Sequence, residues 1–257
     1  MTCIDLNSDI GESFGAYTMG MDEAVLEVIT SANIACGWHA GDPMVMDKTV
    51  RAAAHCQVSV GAHPGYPDLM GFGRRSLNCS PREVRNYVIY QVGALRAFCR
   101  ASGIGLAHVK PHGALYNTAV ADPELSRILM EAVAAVDPSL YYVALAGAGA
   151  AEIQHQADTV GIRVMFEAFP DRTYTPEGRL TPRNQPNAVI HDPDQAARRA
   201  LQMAKDGSVT ASDGTIIALS AQTLCVHGDN PRALALVKTI RNTLTAAGIT
   251  LQAMGQA

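Results

Sequence analysis

Histidine, carboxylate and lysine side chains recur in this chain just after short apolar runs. Asn7-Ser8-Asp9-Ile10-Gly11-Glu12 follows the first run and Cys36-Gly37-Trp38-His39 the second; Gly61-Ala62-His63-Pro64 closes the third. Lys110-Pro111-His112-Gly113 ends the fourth, Glu167 the sixth, and His227-Gly228-Asp229 the seventh. Four of the eight histidines (His39, His63, His112 and His227) sit at such positions. Carboxylates beside imidazoles can relay protons in general acid–base catalysis. Mixed His/Asp sets also suit zinc or manganese, and His39 and His63 with Asp9 form the candidate ligand set. Lys110 stands out because the 20 basic residues include only three other lysines, Lys48, Lys205 and Lys238. It can polarise a carbonyl, hold phosphate as a point charge, or pair with Asp9 or Glu12. The Arg74-Arg75 pair, flanked by Gly71 and Gly73, suits a loop that closes on an anion, or an ordinary solvated pair.

These residues act together only if the fold brings them together. Asp42-Pro43, Ser80-Pro81, Asp122-Pro123, Asp192-Pro193 and Asn230-Pro231 each place a capping side chain before a proline, and a helical pattern follows each. Asp42 and Asn230 are thereby explained as caps. Ser80 with Glu83 makes a capping box. Gly103, Gly207 and Gly248 mark three helix ends. Between the helices lie strand-length runs: Cys3–Leu6, Ala32–Ala35, Val58–Val60, Leu106–Val109, Tyr141–Leu145, Ile162–Phe166 and Thr223–Val226. Alternating strands and helices predict a parallel α/β fold, here a distorted seven-stranded (β/α) TIM-like barrel spanning 1–257 as one domain. A doubly wound open sheet is the alternative. In either, strand C-termini converge where ligands bind, so a histidine that is structural when alone becomes a site candidate in company. His108 shares a strand face with Lys110. His55, His155 and His191 fall in or beside helices and are left outside the site. Two long connections, 64–79 and 167–187, read as lids or small hairpins. Gly207–Leu219 reads as a hairpin turning at Asp213-Gly214.

Composition narrows the function classes. A net charge of −4 gives no electrostatic reason to expect nucleic acid or an acidic membrane. No apolar stretch approaches bilayer length, and the N-terminus lacks a signal-peptide pattern. The six cysteines form no C-x-x-C pair, which fits a reducing cytoplasm. There is no phosphate-loop motif, no strand-linked G-x-G-x-x-G and no G-x-S-x-G elbow.

Several segments resemble the LamB/YcsF family: Asp5-Leu-Asn-Ser-Asp9-Ile-Gly-Glu12, Asn33-Ile-Ala-Cys-Gly-Trp-His39-Ala-Gly-Asp42, Gly61-Ala-His63-Pro64, Gly71-Phe-Gly-Arg-Arg75, Lys110-Pro-His112-Gly-Ala-Leu-Tyr-Asn117 and Cys225-Val-His227-Gly-Asp229. The likeness runs in order from Asp5 to about Pro231. Departures are Trp38 where the family has Phe, Pro170 in a Phe-Ala-Asp-Arg type segment, and the stretch 184–187. The resemblance implies a barrel like those of polysaccharide deacetylases. It also implies a hydrolase acting on a cyclic amide: 5-oxo-L-proline becomes L-glutamate, with ATP as co-substrate and two partner subunits, B and C. On that reading Asp9 or Glu12 activates water, and Lys110 and His112 stabilise an oxyanion or phosphate. Arg74, Arg75, Asn117, His227 and Asp229 bind substrate or phosphate, and His39 and His63 orient these groups or hold a divalent metal. The rival readings are a metal-dependent deacetylase or carbohydrate hydrolase, and a non-catalytic ligand-binding subunit.

Overall fold

The structure is a computed structural model that describes residues 2–226 and 231–256. Its strands are β1 (Cys3–Ile10), β2 (Ser31–Ala35), β3 (Ser59–His63), β4 (Leu106–Val109), β5 (Tyr141–Leu145), β6 (Arg163–Ala168), β7 (Ser208–Thr210), β8 (Ile216–Ala218), β9 (Thr223–Cys225) and β10 (Thr250–Leu251). Its helices are α1 (Asp22–Leu26), α2 (Pro43–His55), α3 (Pro81–Ala101), α4 (Gly113–Ala121), α5 (Pro123–Val136), α6 (Ala150–Val160), α7 (Pro193–Asp206) and α8 (Pro231–Ala246). Strands β1 to β6 pair in sequence order, and β9 pairs with both β6 and β1. The result is a closed seven-stranded parallel barrel flanked by helices, with β10 appended to β1 at Cys3–Ile4. The open-sheet alternative is thereby excluded. No helix among the described residues is long and apolar enough to cross a membrane.

Capping chemistry sets the helix starts. Asp42 Oδ1 accepts from the amides of Met44 and Val45 at 2.8 and 2.9 Å, and Ser80 with Glu83 forms the full capping box. Asp122 and Asp192 cap α5 and α7 in the same way. Asn230 lies outside the described residues. The 207–219 hairpin forms as β7 and β8.

The barrel interior is polar. Along β1 the even residues Leu6 and Ile10 face outward into the apolar shell, whereas Asp5, Asn7 and Asp9 face inward. Register places Asp9, Asn33, Gly61 and His108 side by side across four strands. Their side chains then meet. His108 Nε2 lies 2.7 Å from Asn33 Oδ1, and Asn33 Nδ2 donates to Asn7 Oδ1 and Asp9 Oδ1 at 2.7 and 2.8 Å. Gly61 makes room for this layer, because a Cβ there would overlap the His108 imidazole. Asp5 closes the bottom of the network, accepting from Thr30, Ser31 and Thr223.

Candidate active site

The strand C-termini open into a cavity of about 480 Å³, within the size range of small-ligand sites. Asp9, Glu12, His63, Lys110 and His112 line its floor, with Tyr116 and Asn117 from α4. The two long connections supply its mouth. Phe72 and Arg74 come from the first, and Phe169, Arg172, Arg179, Thr181, Arg183 and Asn184 from the second. The second folds as a small hairpin, through bridges Arg172–Val189 and Tyr174–Leu180.

Lys110 organises the floor. Its ammonium is 3.0 Å from Asp9 Oδ1, 3.1 Å from Glu167 Oε2 and 2.9 Å from Cys225 Sγ. Of the ammonium's three N–H donors, Asp9 and Cys225 each accept one, and Glu167 adds its charge at ion-pair distance. An oxyanion bound by Lys110 must compete with these partners, of which sulfur is the weakest acceptor. Burial disfavours the lysine's charge, but Asp9 foremost and Glu167 outweigh it and hold the group well above the ordinary lysine range. Burial pushes the Glu167 carboxyl up, while Lys110 pulls it back. Glu167 also faces the buried Tyr116 hydroxyl, whose pKa is raised, first by burial and then by that carboxylate.

Asp9 is oriented from two sides. Oδ1 accepts from Lys110 and Asn33, and Oδ2 lies 3.4 Å from His63 Nε2. His63 Nδ1 is 2.7 Å from the Lys110 carbonyl, and His63 Nε2 is 2.9 Å from His112 Nδ1. His39 stacks on His112, with ring centroids 3.7 Å apart and planes 3° from parallel. Burial chiefly, and then the neighbouring histidines, push His39 and His112 well below the usual imidazole range, so both rings are neutral near pH 7. Glu12 Oε1 lies 3.6 Å from His39 Nε2 and 3.8 Å from His112 Nδ1. Glu12, His39, His63 and His112 thus form a cluster with the composition of a metal site, all four donor atoms within 4.8 Å of one another. Asp9 touches this cluster through His63. Of the expected set of His39, His63 and Asp9, the two histidines belong to this cluster, and Glu12 and His112 stand in it where Asp9 was expected.

The other expected residues separate. Arg74 reaches the cavity mouth, its guanidinium 4.9 Å from the centroid of the Phe72 ring. Arg75 turns away from the cavity. Its Nε is 3.0 and 3.1 Å from the two oxygens of buried Asp68, which also caps the 3-10 turn Leu69–Gly71. That pair ties the loop down. Asn117 lines the cavity, while His227 and Asp229 lie outside the described residues. His55, His155 and His191 are exposed on the helical side. The sequence did not single out Asn33, Tyr116 or Cys225, and named Glu167 without a role. A signal was present for Asn33 and Glu167, since both are polar residues within or at the end of an apolar strand. Arg172 is buried, donating to the carbonyls of Ala188 and Thr181 at 3.1 and 2.6 Å, and burial chiefly lowers its pKa to about 10.

This arrangement offers an oriented carboxylate, a buried cation, neutral imidazoles and a cationic mouth, which suits amide hydrolysis and anion binding. Comparison with known proteins agrees. A protein of Syntrophobacter fumaroxidans, named as the A subunit of 5-oxoprolinase, is 54% identical over 251 residues, covering 98% of each chain. The crystal structure of a lactam utilization protein from Thermus thermophilus superposes with a TM-score of 0.91 at 47% identity, covering 98% of this chain and 99% of that one. The polysaccharide deacetylase Bc1974 from Bacillus cereus shares the fold alone, with a TM-score of 0.51 and 11% identity over 100% of this chain and 93% of the other. Residues 4–257 match the LamB/YcsF family, and the chain belongs to it.

Proposed function

We propose that this chain is the A subunit of an ATP-dependent 5-oxoprolinase. The reaction is 5-oxo-L-proline, ATP and two waters to L-glutamate, ADP and phosphate, carried out in the cytoplasm with subunits B and C. The observation that carries the reading is the Asp9 carboxylate, held by Lys110 and Asn33 on the cavity floor. It stands in a chain matched end to end by a protein named as the A subunit of 5-oxoprolinase.

The chemistry explains the residues. Amide resonance protects a five-membered lactam carbonyl from water. Phosphorylating the carbonyl oxygen removes that protection: water adds at this carbon, the ring C–N bond breaks with the nitrogen leaving as the protonated amine, and a second water then displaces phosphate from the acyl phosphate to give the carboxylate. Asp9 takes the proton of the attacking water, with Oδ2, the oxygen turned toward His63, as the accepting atom. Lys110 holds Asp9 ionised and in place, and its cationic field with that of Arg74 favours the phosphorylated intermediate. His112 and Asn117, which line the cavity, are assigned to bind substrate or phosphate.

The test is glutamate release by the reconstituted complex of all three subunits carrying Asp9→Asn. A folded, assembled variant with near-wild-type turnover would remove Asp9 from the chemistry. One observation favours a second reading: the Glu12/His39/His63/His112 cluster would suit a metal-dependent amide or ester hydrolase that needs no ATP. ATP-independent turnover would support it.

A further inference from the structure

The hydrogen bonds around His63 and His112 leave a proton unaccounted for. A backbone carbonyl only accepts. His63 Nδ1 lies 2.7 Å from the Lys110 carbonyl, so it carries the N–H and leaves the lone pair on Nε2. His112 Nε2 lies 2.8 Å from the Phe72 carbonyl, so it carries the N–H and leaves the lone pair on Nδ1. Those two lone pairs face each other at 2.9 Å. Two lone pairs so placed repel unless a positive centre lies against both. Beside them His39 is fully buried, with no hydrogen-bond partner for either ring nitrogen among the described residues, and its Nε2 is aimed at Glu12 Oε1 from 3.6 Å. Buried polar atoms rarely stay unmatched, and each one costs stability.

A cation at this point resolves all of these features. We propose that a divalent transition metal binds between His63 Nε2, His112 Nδ1, Glu12 Oε1 and His39 Nε2. At metal–nitrogen distances of about 2.1 Å, two tetrahedral ligands stand about 3.4 Å apart. The His63 and His112 nitrogens stand 2.9 Å apart, so the two rings must open by about half an ångström to admit the ion. His39 must tilt out of its stack on His112 to bring Nε2 to the same ion. The two backbone carbonyls do what outer partners of ligating histidines commonly do, fixing tautomer and ring direction. Close packing is built in at two glycines. A Cβ on Gly65 would stand 2.8 Å from His39 Nδ1, and one on Gly73 would stand 2.7 Å from His112 Cδ2. Three imidazoles with one carboxylate favour zinc, cobalt or a similar ion over magnesium or calcium. Such an ion would supply positive charge beside Asp9 at the cavity floor.

The inference concerns the same site as the proposed reaction but does not depend on it. The test is metal content of the full chain purified without chelator, followed by stripping and titration with Zn²⁺ and with Co²⁺. About one bound ion per chain is expected, with visible cobalt absorption bands. His39→Gln, His63→Gln and Glu12→Gln should each weaken uptake at least tenfold, and thermal melts identify any variant that fails to fold. Failure to take up either ion at micromolar concentration overturns the proposal and leaves a proton between the two facing nitrogens as what fills the gap. Uptake unaffected by every folded variant overturns it as well. Glutamate release is measured separately, so loss of the metal and loss of the oxoprolinase reading remain distinguishable.

Discussion

Replacing Lys110 with methionine keeps the length and apolar stem of the side chain but deletes the charge between Asp9 and Glu167. The lysine side chain is 3% exposed, and the two carboxylates are 10% and 0% exposed. Removing one partner of a buried ion pair costs about 3–5 kcal/mol, because the remaining charge is left uncompensated. That is a large part of the roughly 5–15 kcal/mol that keeps a domain folded, and it is measurable by urea unfolding. The penalty should depend on pH. Glu167 is already pushed above the ordinary value of 4.5 by burial, and Lys110 is the neighbour that pulls it back. Without Lys110 the native carboxyl binds a proton more tightly than the unfolded one does. Stability of the variant then rises, relative to wild type, as pH falls from neutral through the window above 4.5. Adding Glu167→Gln to Lys110→Met removes one of the stranded charges and should recover part of the loss. A penalty below about 1 kcal/mol, the size of a surface pair, would refute the reasoning. So would a pH-independent penalty, or no recovery in the double variant.

Other expectations follow from neighbouring contacts. Asp9→Asn should cut glutamate release by about 10²–10⁴-fold, the usual worth of a general base, in a variant that still folds and assembles but melts lower because Lys110 loses one of its buried counter-charges. His108 is fully buried and burial chiefly lowers its pKa to about 3. The unfolded chain therefore binds a proton that the native chain refuses between about pH 6.5 and that value, and this group removes about 1.4 kcal/mol of stability per pH unit as pH falls through the window. His108→Gln should flatten the acid limb of a urea-midpoint profile, and parallel profiles would contradict this. Gly61→Ala drives a methyl into the His108 ring and should cost about 1–3 kcal/mol or more by chemical unfolding, partly relieved by a smaller side chain at 108. Arg74→Ala should raise KM with little change in melting temperature, whereas Arg75→Ala should lower the melting temperature by stranding Asp68; equal behaviour would show that the loop is not anchored as described.

The barrel itself was legible because helix starts carry capping residues before proline and strands carry apolar runs. Strand length was less so. Cys3–Leu6 reads as the first strand, yet β1 continues to Ile10. Asn7, Ser8 and Asp9 look like loop residues until the closed barrel supplies Thr223, Val226 and Asn33 as their partners. The same holds for Gly61-Ala62-His63, polar and glycine-rich but within β3. Asp9, Lys110, His63 and His112 were found because strand ends converge. Their pairing was not, since contacts between residues about 100 positions apart depend on register, as with Asp9 and Lys110. Arg75 shows the opposite case. Its sequence neighbourhood matches that of Arg74, and only the 3-10 turn that presents Asp68 separates their roles.

The most direct test of the account is glutamate release from 5-oxo-L-proline by this chain, alone and with subunits B and C, with and without ATP. Release that requires ATP and all three subunits, and fails with Asp9→Asn, is the predicted result. No release from a folded, assembled complex, or release from this chain alone without ATP, would contradict it.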